Sequence, residues 1–219
     1  MPPPANAAPA SRFPFPRRQM FIELTDHLRC PADHDESYLV LLPAVLKERS
    51  VEFGELGCPV CHRTFPIVGG VVQFGEMAAG VVPSSRADAP PVEETALVAF
   101  LGLEGAGGYV ALVGEPGRHT EALMALLPGV HLIAVNPPPQ PVASPGVSLL
   151  QSARLPLKSR SMRGMVLGPG YADEASWLSD GVRAVLPGLR LAGQGGVPSR
   201  PDLEMLASAS GWWVARKLR

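Results

Sequence analysis

No apolar run in this sequence approaches the roughly 20 residues that a bilayer-spanning helix requires, because glycine, proline or a charge interrupts every candidate. That argues against a membrane anchor. The first residues also lack the apolar core of a secretory signal, carrying instead proline, alanine and the pair Arg17 and Arg18, so the expected location is the cytoplasm. Excess charge of either sign is missing: 19 Lys and Arg stand against 20 Asp and Glu, a net charge of -1. Coating a nucleic acid needs a surplus of cations, so bulk charge does not indicate that partner. Cysteine is scarce, three in 219 residues, which is too few for a disulfide framework. Two of them sit in Cys58-Pro59-Val60-Cys61, a spacing that favours a metal site in a reducing compartment. A Ser/His/Asp or Cys/His nucleophile constellation, a paired-carboxylate motif and a Walker-type phosphate loop are all missing. No catalytic residue is therefore predicted.

Apolar residues, by contrast, make up 46% of the chain, enough for a packed core. Proline is abundant and clustered. Residues 1–19 hold Pro2, Pro3, Pro4, Pro9, Pro14 and Pro16, which remove backbone donors and predict a disordered leader. Met20, directly ahead of the first apolar run, is expected as an alternative start of translation. Pro83, Ser84, Ser85, Pro90 and Pro91 predict a linker over 79–92, which places a module at 20–78 and a second domain at 93–219. In that domain helical spacing covers 93–103, followed by a strand at 109–113, a helix at 118–127 and a strand at 131–135. The alternation continues with a strand at 164–167, a helix at 173–186, a turn at Pro187-Gly188, a strand at 189–192, a helix at 202–208 and a strand at 212–218. The predicted fold class is α/β, a small β module followed by a Rossmann-like domain.

A tetrahedral zinc site needs four N, S or O donors, and C-x-x-C supplies two thiolates on one tight turn. Cys58 and Cys61 form that half. The other half is Cys30-Pro31-Ala32-Asp33-His34, in which Asp33 takes the place of a second cysteine and His34, one residue on, is the better ligand. The predicted metal set is Cys30, His34, Cys58 and Cys61, with zinc as the expected ion. Residues 58–62 also match the attachment signature of c-type haem, whose chemistry requires export. The leucine-rich lead, the two Cys-Pro knuckles and the following Phe65-Pro66-Ile67-Val68-Gly69-Gly70 together resemble the Trm-type methyltransferase-activator zinc ribbons over residues 21–77. The lost second cysteine departs from that pattern.

Residues 95–219 resemble the class I methyltransferases that use S-adenosylmethionine. Ala111-Leu112-Val113-Gly114-Glu115-Pro116-Gly117-Arg118 resembles that family's D-L-G-C-G-P-G-R segment. On this register Ala111 replaces the acid, Val113 and Glu115 replace glycines, and Gly117 is kept; a shift of one residue returns Gly114 to a glycine position. Glu115 also brings a carboxylate toward the ligand's own. Where the family ends its second strand in an acid that takes the ribose hydroxyls, Asn136 offers a neutral amide. Arg163 stands in an aspartate position of the segment 153–167, 185–191 resembles the family's V-L-x-P-G-G-x-L turn, and 211–214 its last aromatic strand. The resemblance places cofactor binding at Gly114, Glu115, Gly117 and Asn136, with the ligand-holding positions altered while the framework is kept.

The remaining candidates are weaker. His119 is expected to be a helix-end residue, His27 and His62 surface or neighbouring residues of the metal site, and Gly168-Pro169-Gly170-Tyr171 a turn. Trp212 and Trp213 alternate on a strand, which predicts one in the core and one facing solvent or a partner. The function expected is a non-catalytic scaffold or partner-binding subunit, joining a zinc ribbon to a degenerate methyltransferase fold. An active methyltransferase with its activator ribbon in cis, and an RNA-associated zinc module, are the alternatives.

Overall fold

The computed structural model describes residues 20–75, 92–139 and 146–219. The predicted leader at 1–19, and all of the predicted linker at 79–92 except Val92, lie outside the described residues. Five short strands come first: β1 (Met20–Phe21), β2 (Val40–Lys47), β3 (Ser50–Gly57), β4 (Thr64–Val68) and β5 (Val71–Phe74). Then follow α1 (Glu94–Leu101), β6 (Tyr109–Val113), α2 (Thr120–Leu126), β7 (His131–Val135), β8 (Val147–Ser152) and β9 (Met162–Leu167). The chain ends with α3 (Ala175–Ala184), β10 (Val185–Gln194), β11 (Leu203–Ala209) and β12 (Trp212–Lys217). Among these helices none is long and apolar enough to cross a membrane.

All the described strands join one sheet, ordered β1-β3-β4-β5-β8-β7-β6-β9-β10-β12-β11, with β2 on β3. The stretch from β8 to β10 is parallel. Its order, with β6 first in sequence and β7 and β9 on opposite sides of it, is that of a doubly wound Rossmann-like sheet. Tyr109–Val113 is buried throughout, as expected of a parallel strand covered on both faces. Tyr109, Ala111 and Val113 point into one core, Val110 and Leu112 into the other. Leu97 and Leu101 of α1 and Leu123 of α2 fill the second core.

The first core is shared between the two halves of the chain. Trp177 and Val182 of α3 pack there with Leu24, Leu28, Leu56, Phe65 and Ile67 of the N-terminal module, so a 3-10 turn at Ile22–His27 and the inner face of β4 do what further helices would do. The seam is main-chain as well: β5 runs parallel to β8, with Val72 opposite Leu150. Glu36 adds a polar tether, accepting from the Ser159 amide at 3.0 Å and its hydroxyl at 2.8 Å.

Several elements differ from the sequence expectations. The segment expected as a helix at 202–208 is the strand β11, in a hairpin with β12 whose two turn residues, Ser210 and Gly211, have φ of 51° and 76°. Paired positive φ values match the twist of a tight hairpin, and the docking of β12 on β10 supplies a ladder that helical periodicity cannot reveal. Pro187-Gly188 is not a turn between helix and strand: β10 starts at Val185, and the irregularity appears as a register shift between Val185 and Arg190. Strand β8 was not anticipated. Neither tryptophan faces solvent, with exposures of 6% for Trp212 and 0% for Trp213, because Trp212 packs on Phe100 beside α1, 5.4 Å between rings, while Trp213 enters the other core.

Candidate metal centre and switch-point crevice

Cys30 follows the 3-10 turn, where the Arg29 amide donates to the Pro156 carbonyl at 3.0 Å and locks the first knuckle onto the Rossmann half. The second knuckle closes through Cys58 N to Arg63 O at 2.9 Å and His62 N to Cys58 O at 3.0 Å, with His62 at a φ of 58°. These turns bring Cys30, His34, Cys58 and Cys61 together, their ligand atoms all within 4.8 Å of one another. Cys30 Sγ lies 3.7 Å from Cys61 Sγ, and Cys58 Sγ lies 3.4 Å from His34 Nε2. A tetrahedron drawn with zinc–ligand bond lengths has S–S edges of about 3.8 Å and S–N edges of about 3.5 Å. Those separations match.

His34 Nδ1 is 2.7 Å from the Asp35 carbonyl; donation there leaves the Nε2 lone pair for a metal. That carbonyl also raises the ring's pKa by favouring the charged form. Asp33 is exposed and outside the group. Burial pushes the Cys30 thiol up to about 12, against the pull of the Ala32 amide, whereas the Arg63 amide draws Cys61 down to about 7. Three sulfurs and one imidazole nitrogen can supply all four corners, so the set can hold an ion structurally and leaves no corner for a substrate. His62 is exposed, and His27 lies apart, its ring 4.3 Å from that of Tyr109.

The second candidate lies at the carboxyl ends of β6 and β9, where the strand order reverses and Rossmann-like sheets bind nucleotides. Here the loops close on one another. Gly114 has φ 72° and ψ -132°, and a Cβ there would meet Tyr171 Cε2 at 2.5 Å. A Cβ on Gly117 would lie 2.8 Å from Pro137 Cβ, and one on Gly168 would lie 2.7 Å from Pro116 Cδ. Tyr171 is 2% exposed, its ring 4.7 Å from Trp177. Burial raises its pKa and keeps it neutral, and its hydroxyl, near the Asn136 amide, makes no hydrogen bond of good geometry.

The other predicted cofactor residues have local partners. Glu115 pairs with Arg118. Asn136, at a φ of 49°, donates from Nδ2 to Ser152 O at 2.7 Å and accepts from Ser152 N at 2.9 Å, so its amide ties β7 to β8. An aspartate there would lose the donor. Arg163 points away from the crevice and donates to the carbonyl of Ala106 at 3.0 Å and to those around it, pinning the loop before β6. His119 Nδ1 meets Glu94 at 2.8 Å, which holds the Glu94 carboxyl below its ordinary range. Residues 169–173 form the expected turn, and the turn also sets the ring of Tyr171 against Gly114, a placement for which Gly-Tyr after a Rossmann strand is the available signal.

No family model matches the chain, and no curated protein matches it. Solved structures similar to it are methyltransferases. One, from Anabaena variabilis ATCC 29413 and assigned to the methyltransferases of an antibiotic biosynthesis pathway, is 18% identical with a TM-score of 0.37 over 46% of this chain. The present chain spans 43% of that protein's length. The antibiotic-resistance methyltransferase Kmr is 16% identical, TM-score 0.42, over 62% of this chain and 98% of its own. The complex between the Haloferax volcanii Trm112 methyltransferase activator and a protein assigned as a methyltransferase gives 16% identity and a TM-score of 0.36, over 46% of this chain and 50% of the other. The strand order, rather than these likenesses, carries the fold.

Proposed function

We propose that this protein is a non-catalytic, partner-binding scaffold of the cytoplasm, in which a structural zinc ribbon is built onto a methyltransferase-like sheet that has lost its methyl donor. One observation carries the reading: the ring of Tyr171 lies against Gly114, in the space where a nucleotide-like ligand would have to approach the backbone. The residues present do not suit S-adenosylmethionine in other ways. No carboxylate ends β7, the Asn136 amide is bonded to Ser152, and Pro116 and Pro137 fill the ground beside Gly168 and Gly117. In this reading zinc would be held by Cys30, His34, Cys58 and Cys61, and would fix the two knuckles.

A partner-binding role is supported by the outer face of the ribbon. Val45, Phe53 and Val68 form a cross-strand row, with Leu42 and Val40 continuing along β2, and these five side chains are between 37% and 53% exposed. Contiguous apolar exposure of that kind marks interaction surfaces. The continuous seam of β5 with β8 favours a second reading, a ribbon that serves an active methyltransferase domain in cis. Calorimetry with S-adenosylmethionine on the zinc-loaded chain separates the two. The scaffold reading expects no saturable heat up to about 1 mM ligand; low-micromolar binding would overturn it.

A further inference from the structure

The switch-point loops pack on one another at Gly114, Gly117 and Gly168, and an open cleft of about 340 Å3 lies farther along the same sheet, where the ribbon meets the Rossmann half. It opens beyond the carboxyl ends of β5 and β8, with Phe74 opposite Ser152 as their last pair. Ligand crevices of parallel sheets lie outside the carboxyl ends of their strands, and the volume falls in the range of small-molecule sites. Phe65 and Phe74 make its apolar wall, nearly buried, their rings 4.9 Å apart. Gly75, at a φ of 90°, has among the described residues no atom beyond its own chain neighbours within 4 Å of where a Cβ would stand.

Two arginines give the cleft its charge, Arg63 from the second knuckle and Arg154 from the end of β8. Among the described residues neither guanidinium has an ion pair or a hydrogen bond. Arg29, Arg118, Arg183, Arg200 and Arg216 each meet a carboxylate, and Arg163 and Arg190 donate to backbone carbonyls. Those seven arginines are thus matched, while Arg63 and Arg154, from different halves of the chain, line one cavity with no described anion between them.

A guanidinium presents paired donors that suit oxyanions. One such group saturates the two oxygens of a carboxylate, whereas the oxygens of a phosphate can take two groups arriving from different sides. We propose that this cleft binds a small phosphate-bearing ligand with a planar ring, the chemical class of a nucleoside monophosphate, with its phosphate between Arg63 and Arg154 and its ring against Phe65 and Phe74. The site is independent of the switch-point crevice.

Amide NMR titration of the full, zinc-loaded chain with AMP, adenosine and inorganic phosphate tests this. AMP should shift the amides of Arg63, Phe74, Gly75 and Arg154 saturably, and adenosine and phosphate should bind roughly tenfold more weakly, each lacking one half of the recognition. Arg63→Gln and Arg154→Gln should each weaken AMP by roughly tenfold, and Arg219→Gln, a charge-matched control at the chain end, should not. Arg154→Gln lies outside the knuckles and keeps the test valid should Arg63→Gln disturb zinc. Absence of saturable shifts with both AMP and phosphate at about 10 mM, or AMP affinity unchanged in the double variant, overturns the proposal.

Discussion

The knuckles at Cys30 and Cys58 and the loops at Gly114 and Gly168 are both tight turns held by backbone hydrogen bonds, but they turn their side chains to opposite ends. In the knuckles four donors converge within 4.8 Å of one another, two pairs of them at metal-ligand separations. In the crevice the polar groups are drawn off, Asn136 to Ser152 and Glu115 to Arg118, while a tyrosine ring and two prolines converge. On the proposed reading, donors aimed at one point can still take an ion, whereas a crevice filled by its own residues cannot take a nucleotide. Both halves share one packed core, and the contrast lies in what their turns converge on, four candidate metal ligands in one and apolar rings in the other.

The largest test of that contrast is removal of the ion. Chelation, or Cys58→Ser, should release the metal and unfold the knuckles at a cost of several kcal/mol, seen as a fall in Tm of roughly 10 °C or more. Because Leu24, Leu28 and Phe65 share a core with β6, hydrogen exchange should accelerate beyond the ribbon, at β8 as well. Unchanged melting after complete metal removal would show that packing alone holds this half too. Next comes Tyr171→Ala, which should cost about 3 kcal/mol through the cavity it leaves, read from the denaturant midpoint, and should not create S-adenosylmethionine binding because no acid ends β7. Tight binding by this variant would show that the ring alone closes the crevice.

The smallest effect is expected far from both sites. The Arg200 guanidinium, 2.8 Å from Asp202, holds that carboxyl below its ordinary 3.8. A carboxyl lowered by folding adds stability that is complete above its unfolded pKa and is lost as the pH falls through the folded value. Asp202→Asn should therefore remove a contribution of about 0.5 kcal/mol at pH 7, small because the pair is partly solvated, and flatten stability below pH 3.8. A large loss of stability in Asp202→Asn at neutral pH would contradict this ranking.

Much of the Rossmann half was legible because its strands are buried on both faces: Tyr109–Val113 is a continuous apolar run and His131–Val135 is one after its first residue, and the limits of both coincide with the expected ones. The hairpin of β11 and β12 was not, since Leu203–Ala209 carries a periodicity compatible with a helix and becomes a strand only when β12 offers it an edge. The candidate ligands were legible from Cys-Pro spacing. The crevice was legible as an altered motif at Gly114, Glu115 and Asn136, but Tyr171, whose ring lies on Gly114, comes from the loop after β9, more than fifty residues beyond that glycine.

The sequence by itself determined the alternation of β6, α2, β7, β9 and α3 and the residue types available to a metal, because burial periodicity and ligand spacing are local properties of a chain. Only the tertiary structure decided that the ribbon and the Rossmann half share one sheet and one core, that Tyr171 lies on Gly114, and that Arg63 and Arg154 line the same cleft. Those facts depend on contacts between distant segments, which are set by how the whole sheet closes rather than by any neighbouring residue.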